Sequence, residues 1–266
     1  MDKTSIIGVL VGFIAIGLGM VLKGVGFGAL LNPAAILIIF LGTAASVCIA
    51  FPMSTLKNVP ALFKIIFKED KSNNIKDIIT MFTKWADITR REGILALESE
   101  MDDVTDTYLT SGVQLVVDGQ SSDFIQDVML EKIDAMEERH YKGISIFTQA
   151  GTYAPTLGVL GAVIGLIAAL GNMSDLDKLG SAISAAFIAT LFGIFTGYVL
   201  WHPFANKLKE KSKQEVLLKQ IMLEGLLSIT NGDSPQVIKD KLGSYLPSKE
   251  LEMMVEEEVD EKKETA

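Results

Sequence analysis

Four stretches of this chain run without a charged residue: 4–22, 24–56, 143–174 and 179–206. A helical bilayer crossing takes about 20 apolar residues, so each stretch is about long enough or longer. The pattern predicts an all-α, polytopic membrane protein with four transmembrane helices and a helical cytoplasmic domain. The spans are placed at roughly 4–22, 33–53, 151–172 and 183–204. The first is read as a span and not as a cleaved signal peptide, because its apolar run is too long and no A-x-A site follows.

The polar remainder divides the chain. Residues 1–56 hold spans one and two, 57–142 a cytoplasmic helical domain, and 143–206 spans three and four. Residues 207–248 hold further cytoplasmic helices, and 249–266 an acidic tail. Asn74 is expected to cap a helix whose amphipathic pattern runs from Ile75 to about Met101. A second helix is expected over 104–117. A third starts at Ser121-Ser122-Asp123, with Ile125, Met129, Ile133 and Met136 as its apolar stripe. Nothing stronger than Gly143 and Gly151 interrupts it before Pro155, so it is expected to continue into span three. Span four is likewise expected to run on past Pro203. Ser234 and Pro235 then open a short helix that ends near Gly243.

Spans three and four carry small residues at helical spacing. Gly151, Ala154, Gly158, Gly161, Gly165 and Ala168 fall on one face of the third, and Ala185, Ala189, Gly193 and Gly197 on one face of the fourth. Such faces let backbones approach closely in lipid. Taken alone, this describes two packed helices with threonines bonded back to their own backbone.

Charge sets the orientation. The 57–142 connection holds 11 of the 24 lysines and arginines, and the stretch after 206 holds 10. The positive-inside rule therefore places both termini and the long connection in the cytoplasm. The net charge of −9 owes much to the tail, where residues 249–264 hold eight acids against three bases. It gives no reason to expect nucleic acid as a partner. The single cysteine, Cys48, is read as packing within span two.

No enzyme signature, metal-spaced cluster or cofactor motif is present. His140 reads as a surface residue and His202 as an interfacial one beside Trp201. More telling is the membrane interior: no span holds Asp, Glu, Lys or Arg in its middle. A proton-driven machine needs an ionisable group at depth. The chain either handles no ions or receives the carboxylate from a partner. In the second case Pro155, Thr156 and Thr190 form the housing, with the Gly151 carbonyl released by Pro155 as a further acceptor. In the cytoplasmic segment, TRREGILALE holds Arg90, Arg91, Glu92 and Glu98. On an unbroken helix Arg91 and Glu98 share a face, with Arg90 about 80° from Glu98. By itself this is an ordinary solvated surface.

Together, APTLGVLGAVIGL, ATLFGIFTGYVLWHPFANKL, NGDSPQVIKDKL and the Arg90–Glu98 spacing resemble the MotA/TolQ/ExbB proton-channel family, within it the MotA branch of flagellar stator subunits. The resemblance spans the chain. ExbB- and TolQ-like energisers of envelope transport are the alternative, but they have three spans and the opposite N-terminal side. The resemblance implies a ring of these subunits, a pentamer, around a MotB-like single-span partner that supplies a membrane aspartate and a peptidoglycan anchor. It further implies an ion pathway at Pro155, Thr156, Ala162 and Thr190, switch prolines at Pro155 and Pro203, and contact of Arg90 and Glu98 with the flagellar rotor switch protein FliG. The location implied is the bacterial plasma membrane. Sodium-type relatives carry a threonine where this chain has Ala162, so proton drive is expected.

Overall fold

A computed structural model describes residues 2–69, 75–102, 104–171, 173–247, 249–251 and 253. The expected cap at Asn74, the end of span three at 172 and most of the acidic tail lie outside them. The described residues form helices and turns and contain no strand. The chain divides into two compact units: residues 1–70 with 139–211, and residues 71–138 with 212–266.

The first unit is the membrane unit. It contains α1 (Lys3–Leu22), α2 (Pro33–Ala50), α3 (Val59–Phe67), and the apolar parts of α6 (Ser122–Leu170) and α7 (Leu176–Thr230). Helices α1, α2, α6 and α7 are each long and apolar enough to cross a bilayer. Asp2 starts α1 by accepting the amides of Thr4 (3.1 Å) and Ser5 (3.4 Å). Asn32 caps α2 by accepting the Ala35 amide at 3.1 Å, and Pro33 follows at the first helical position.

The expected end of span two at 53 is too late. Pro52 forces Phe51 into extended backbone (φ −126°, ψ 142°), and α2 stops at Ala50. A single turn, Met53–Leu56, then leads into α3. Cys48 is exposed, beside the 88 % exposed Ile49. This corrects the expectation that it packs inside the span.

Helix α6 runs for 49 residues through Gly143 and Gly151 into the membrane span, as expected, with Pro155 inside it. Asp175 caps α7 by accepting the Lys178 amide at 3.2 Å. This sets the start at Leu176, seven residues before the expected 183. Helix α7 then continues through Pro203 to Thr230. The stretch Thr196–Trp201 just before that proline takes the wider π-turn, as does Leu37–Leu41 in α2.

The second unit contains α4 (Ile75–Glu92), α5 (Thr107–Val117), the start of α6, the end of α7, and α8 (Pro235–Gly243). The expected helix from Ile75 to Met101 is two pieces. Gly93, at φ +90°, ends α4, and a tight turn Ile94–Ala96 passes into Leu97–Glu100. Helix α5 starts three residues later than expected, because Asp106 accepts the amides of Tyr108 (2.9 Å) and Leu109 (3.1 Å). One apolar core joins the unit, built from Ile79, Phe82 and Trp85 of α4, Leu109 and Val113 of α5, Ile125, Met129 and Ile133 of α6, Ile221 and Leu226 of α7, and Ile238 and Leu242 of α8. Met136 completes the expected buried stripe of α6.

A half-buried ion pair lies in this unit. Lys219 Nζ lies 2.5 Å from Asp106 Oδ2 and 5.1 Å from the Tyr108 ring centre. Burial pushes the Asp106 carboxyl up, but the hydrogen bonds from Lys219 and the Leu109 amide outweigh it and hold the group below its ordinary value.

Candidate functional site

The candidate site in the membrane unit is the seam between α6 and α7, and small residues make it. A methyl placed on Gly193 would lie 2.7 Å from the Ala154 carbonyl oxygen and 2.8 Å from the Gly158 Cα. One placed on Gly158 would lie 2.9 Å from both the Ala189 carbonyl oxygen and the Gly193 Cα. Further along, Gly161 faces the Ala189 methyl and Gly165 faces Ala186. The two stripes expected from spacing therefore meet each other, and Ala154, Ala186 and Ala189 are buried at 0 %, 3 % and 2 % exposure.

Pro155 sits against this seam. It has no amide hydrogen, so the Gly151 carbonyl lacks its helical partner. That oxygen, expected to be open to a partner's acid or a water, instead faces the backbone of Gly197. A methyl on Gly197 would come within 2.8 Å of it and within 2.7 Å of the Pro155 ring. Gly197 lies in the π-turn preceding Pro203, so the seam joins the vicinity of both prolines. His202 packs its ring over Gly151, within 2.8 Å of where a methyl would stand, and beside Tyr198, ring centres 5.3 Å apart. The sequence placed His202 at the interface but gave no sign of this contact.

The hydroxyls are held by their own helices. Thr156 is exposed, and its Oγ1 donates to the Thr152 carbonyl at 3.2 Å. Thr190 is half-buried and donates to the Ala186 carbonyl at 3.3 Å. Ala162 is half-buried, while Pro203 is exposed. Thr148 and Thr152 extend the Thr156 row in steps of four, donating to the carbonyls of Ile144 and Thr148 at 3.1 Å each. Their four-residue spacing is legible in the sequence, but neither is among the expected site residues. The row stands on a face of α6 turned away from the glycine stripe, continuous with the exposed Val159 and Val163.

Arg90 and Glu98 belong to the second unit. Arg90 is on the last turn of α4 and Glu98 lies beyond the Gly93 bend, so a common helical face does not relate them. Both are exposed, and neither makes an ion pair among the described residues. The neighbouring groups are tied down. Arg91 pairs with Asp87 at 2.8 Å, Leu97 is fully buried, and Lys84 Nζ meets Glu100 Oε2 at 2.6 Å. The bend thus presents Arg90 and Glu98 outward from a fixed turn.

Comparison with known proteins places this geometry. The sequence profile of the MotA/TolQ/ExbB proton channel family matches residues 100–221. Motility protein A of Bacillus subtilis is 62% identical over 250 residues, 94% of this chain and 93% of that protein. The structure of the flagellar MotAB stator complex from Bacillus subtilis superposes with a TM-score of 0.90, covering 94% of this chain and 98% of that one. The C. jejuni MotAB structure superposes at 0.88 with 29% identity, covering 93% and 97%. Four spanning helices, a glycine seam around an intrahelical proline and full-length similarity agree: the chain belongs to the MotA/TolQ/ExbB proton channel family.

Proposed function

We propose that this chain is the ring-forming stator subunit of a flagellar motor. Five copies surround a MotB-like single-span partner, which brings the membrane aspartate and the peptidoglycan anchor. The observation that carries this reading is the superposition at TM-score 0.90 on a flagellar stator subunit of 62% identity. The uncharged span interiors support it, since a chain of this family without a membrane carboxylate needs one from elsewhere. Both termini and the second unit lie in the cytoplasm, as the distribution of lysine and arginine requires.

Ions cross where the ring meets the partner, along Pro155, Thr156, Ala162 and Thr190. Each transfer of the carboxylate's charge state alters the packing of α6 on α7, with Pro155 and Pro203 as the points of bending. One charge falling through 100 mV releases about 2.3 kcal/mol, enough to bias packed states without unfolding them. Arg90 and Glu98 transmit the step to the rotor protein FliG. The ion is the proton, because Ala162 offers only a methyl where a sodium shell would want oxygen.

Deleting the gene should leave flagella assembled and cells unable to swim, and supplying it should restore swimming. Restored speed should be indifferent to sodium at fixed pH and should collapse with a protonophore. Normal swimming in the deletion would remove the reading. Speed that tracks sodium and survives the protonophore would remove the assignment of the ion.

A further inference from the structure

The short helix α3 has no part in the proposed ion path, yet the membrane unit holds it in a fixed place. Three connections set its level. The Asp2 amide donates to the Phe67 carbonyl at 3.0 Å, and Ser5 Oγ donates to the Ile66 carbonyl at 3.4 Å. Lys211 Nζ donates to the Lys68 carbonyl at 2.7 Å. The end of α3 therefore lies at the first turn of α1 and beside α7 just past Pro203, and its start follows α2 by one turn. That is the boundary of the bilayer.

The inner face of α3 is apolar and docked. Ile66 is fully buried. The Phe63 ring lies 5.1 Å from Phe147 and 6.4 Å from Trp201, and Phe67 lies 5.7 Å from Phe204. The outer face is of opposite character. Lys64 stands on α3 itself, Lys57 lies two residues before its start, and Lys68 directly follows its end. All three are exposed, and none makes an ion pair among the described residues. Ile65 (42 % exposed) and Met53 (66 %) add apolar surface on the open side.

A helix lying at a bilayer boundary, with bare cations and apolar side chains outward, matches the acyl–headgroup boundary of a membrane with anionic lipids. We propose that α3 is an anionic-lipid platform. Lys57, Lys64 and Lys68 bind phospholipid phosphates of the leaflet that α3 meets, and Met53 and Ile65 enter the acyl region. The fixed lipid layer then holds the boundary ends of α1 and α7 while the α6–α7 seam moves. The assignment needs only the membrane spans, not the ion or the rotor.

The test uses the purified complex with its partner chain in nanodiscs of equal phosphatidylglycerol and phosphatidylcholine, with retained lipid counted by native mass spectrometry. The intact complex should retain phosphatidylglycerol in clear excess. A lysine at an anionic surface favours the bound lipid by about fivefold. Lys64→Gln should therefore lose about that factor, and Lys57→Gln/Lys64→Gln/Lys68→Gln most of the enrichment. The corresponding triple arginine variant should keep it. If the triple glutamine variant does not assemble, the single Lys64→Gln decides. No excess of phosphatidylglycerol in the intact complex would overturn the proposal, as would equal retention by the wild type and the glutamine variants. Loss of the excess when inorganic phosphate is added would assign the lysines to free phosphate and overturn it too.

Discussion

Gly158 of α6 and Gly193 of α7 meet backbone to backbone: a methyl on Gly193 would stand 2.8 Å from the Gly158 Cα. No heavy atom of this pair can move aside without parting the helices. Gly193→Ala and Gly158→Ala are each expected to cost about 1–3 kcal/mol by overpacking. Gly8→Ala and Gly19→Ala meet nothing within 4 Å and should be silent. Thermal unfolding of the purified complex measures this; equal midpoints for all four variants would show that the seam is slack.

Pro155 stands in the same seam, its ring against Gly197. Pro155→Leu restores an amide hydrogen in α6 and removes the freed Gly151 carbonyl. The expected outcome is a complex of normal abundance that does not turn. Motility in soft agar beside a pull-down of the partner separates the cases. Wild-type swimming would reduce the proline to a packing residue.

Asp2 binds Lys207 Nζ at 2.5 Å and so joins α1 to α7. The hydrogen bond from Lys207, and after it that from the Thr4 hydroxyl, hold the Asp2 carboxyl well below the ordinary carboxylate range. A carboxylate depressed in this way adds stability that is present above its unfolded value, near about 4, and is lost as pH falls through the lower folded value. Asp2→Asn keeps the helix cap and removes only the charge. The gap in midpoint between wild type and Asp2→Asn should be constant from about pH 8 to about pH 5 and shrink only below about pH 4. A gap that closes near neutral pH would place the coupling elsewhere.

Arg90 and Glu98 are both exposed, with the Gly93 bend between them. Surface changes of this kind shift stability by no more than about 0.5 kcal/mol. Glu98→Lys should thus leave the complex intact and weaken or abolish swimming. Loss of the partner in a pull-down would make Glu98 a structural residue.

The spans were legible because bilayer thickness fixes the length of an apolar run, and the seam because steps of three and four mark a helical face. The helix breaks were less so. Gly93 sits in a sequence that keeps its amphipathic period through Leu97, and only the positive φ ends the helix. The continuity of α6 into the membrane was legible, because nothing stronger than two glycines interrupts the pattern before Pro155, but the seat of the Pro155 ring against Gly197 was not. Links such as Asp2–Lys207 and Gly151–His202 join residues far apart in sequence, and neither leaves a periodic trace.

The uncharged span interiors carry the central claim, that this chain houses an ion-carrying group it does not itself possess. Ion flux into proteoliposomes measures it directly, with the chain reconstituted alone and again with a single-span partner bearing a membrane aspartate and freed of any plug segment. No flux above empty vesicles is expected from the chain alone. A proton flux should appear with the partner and vanish when the partner's aspartate is replaced by asparagine. Robust flux from the lone chain would contradict the claim.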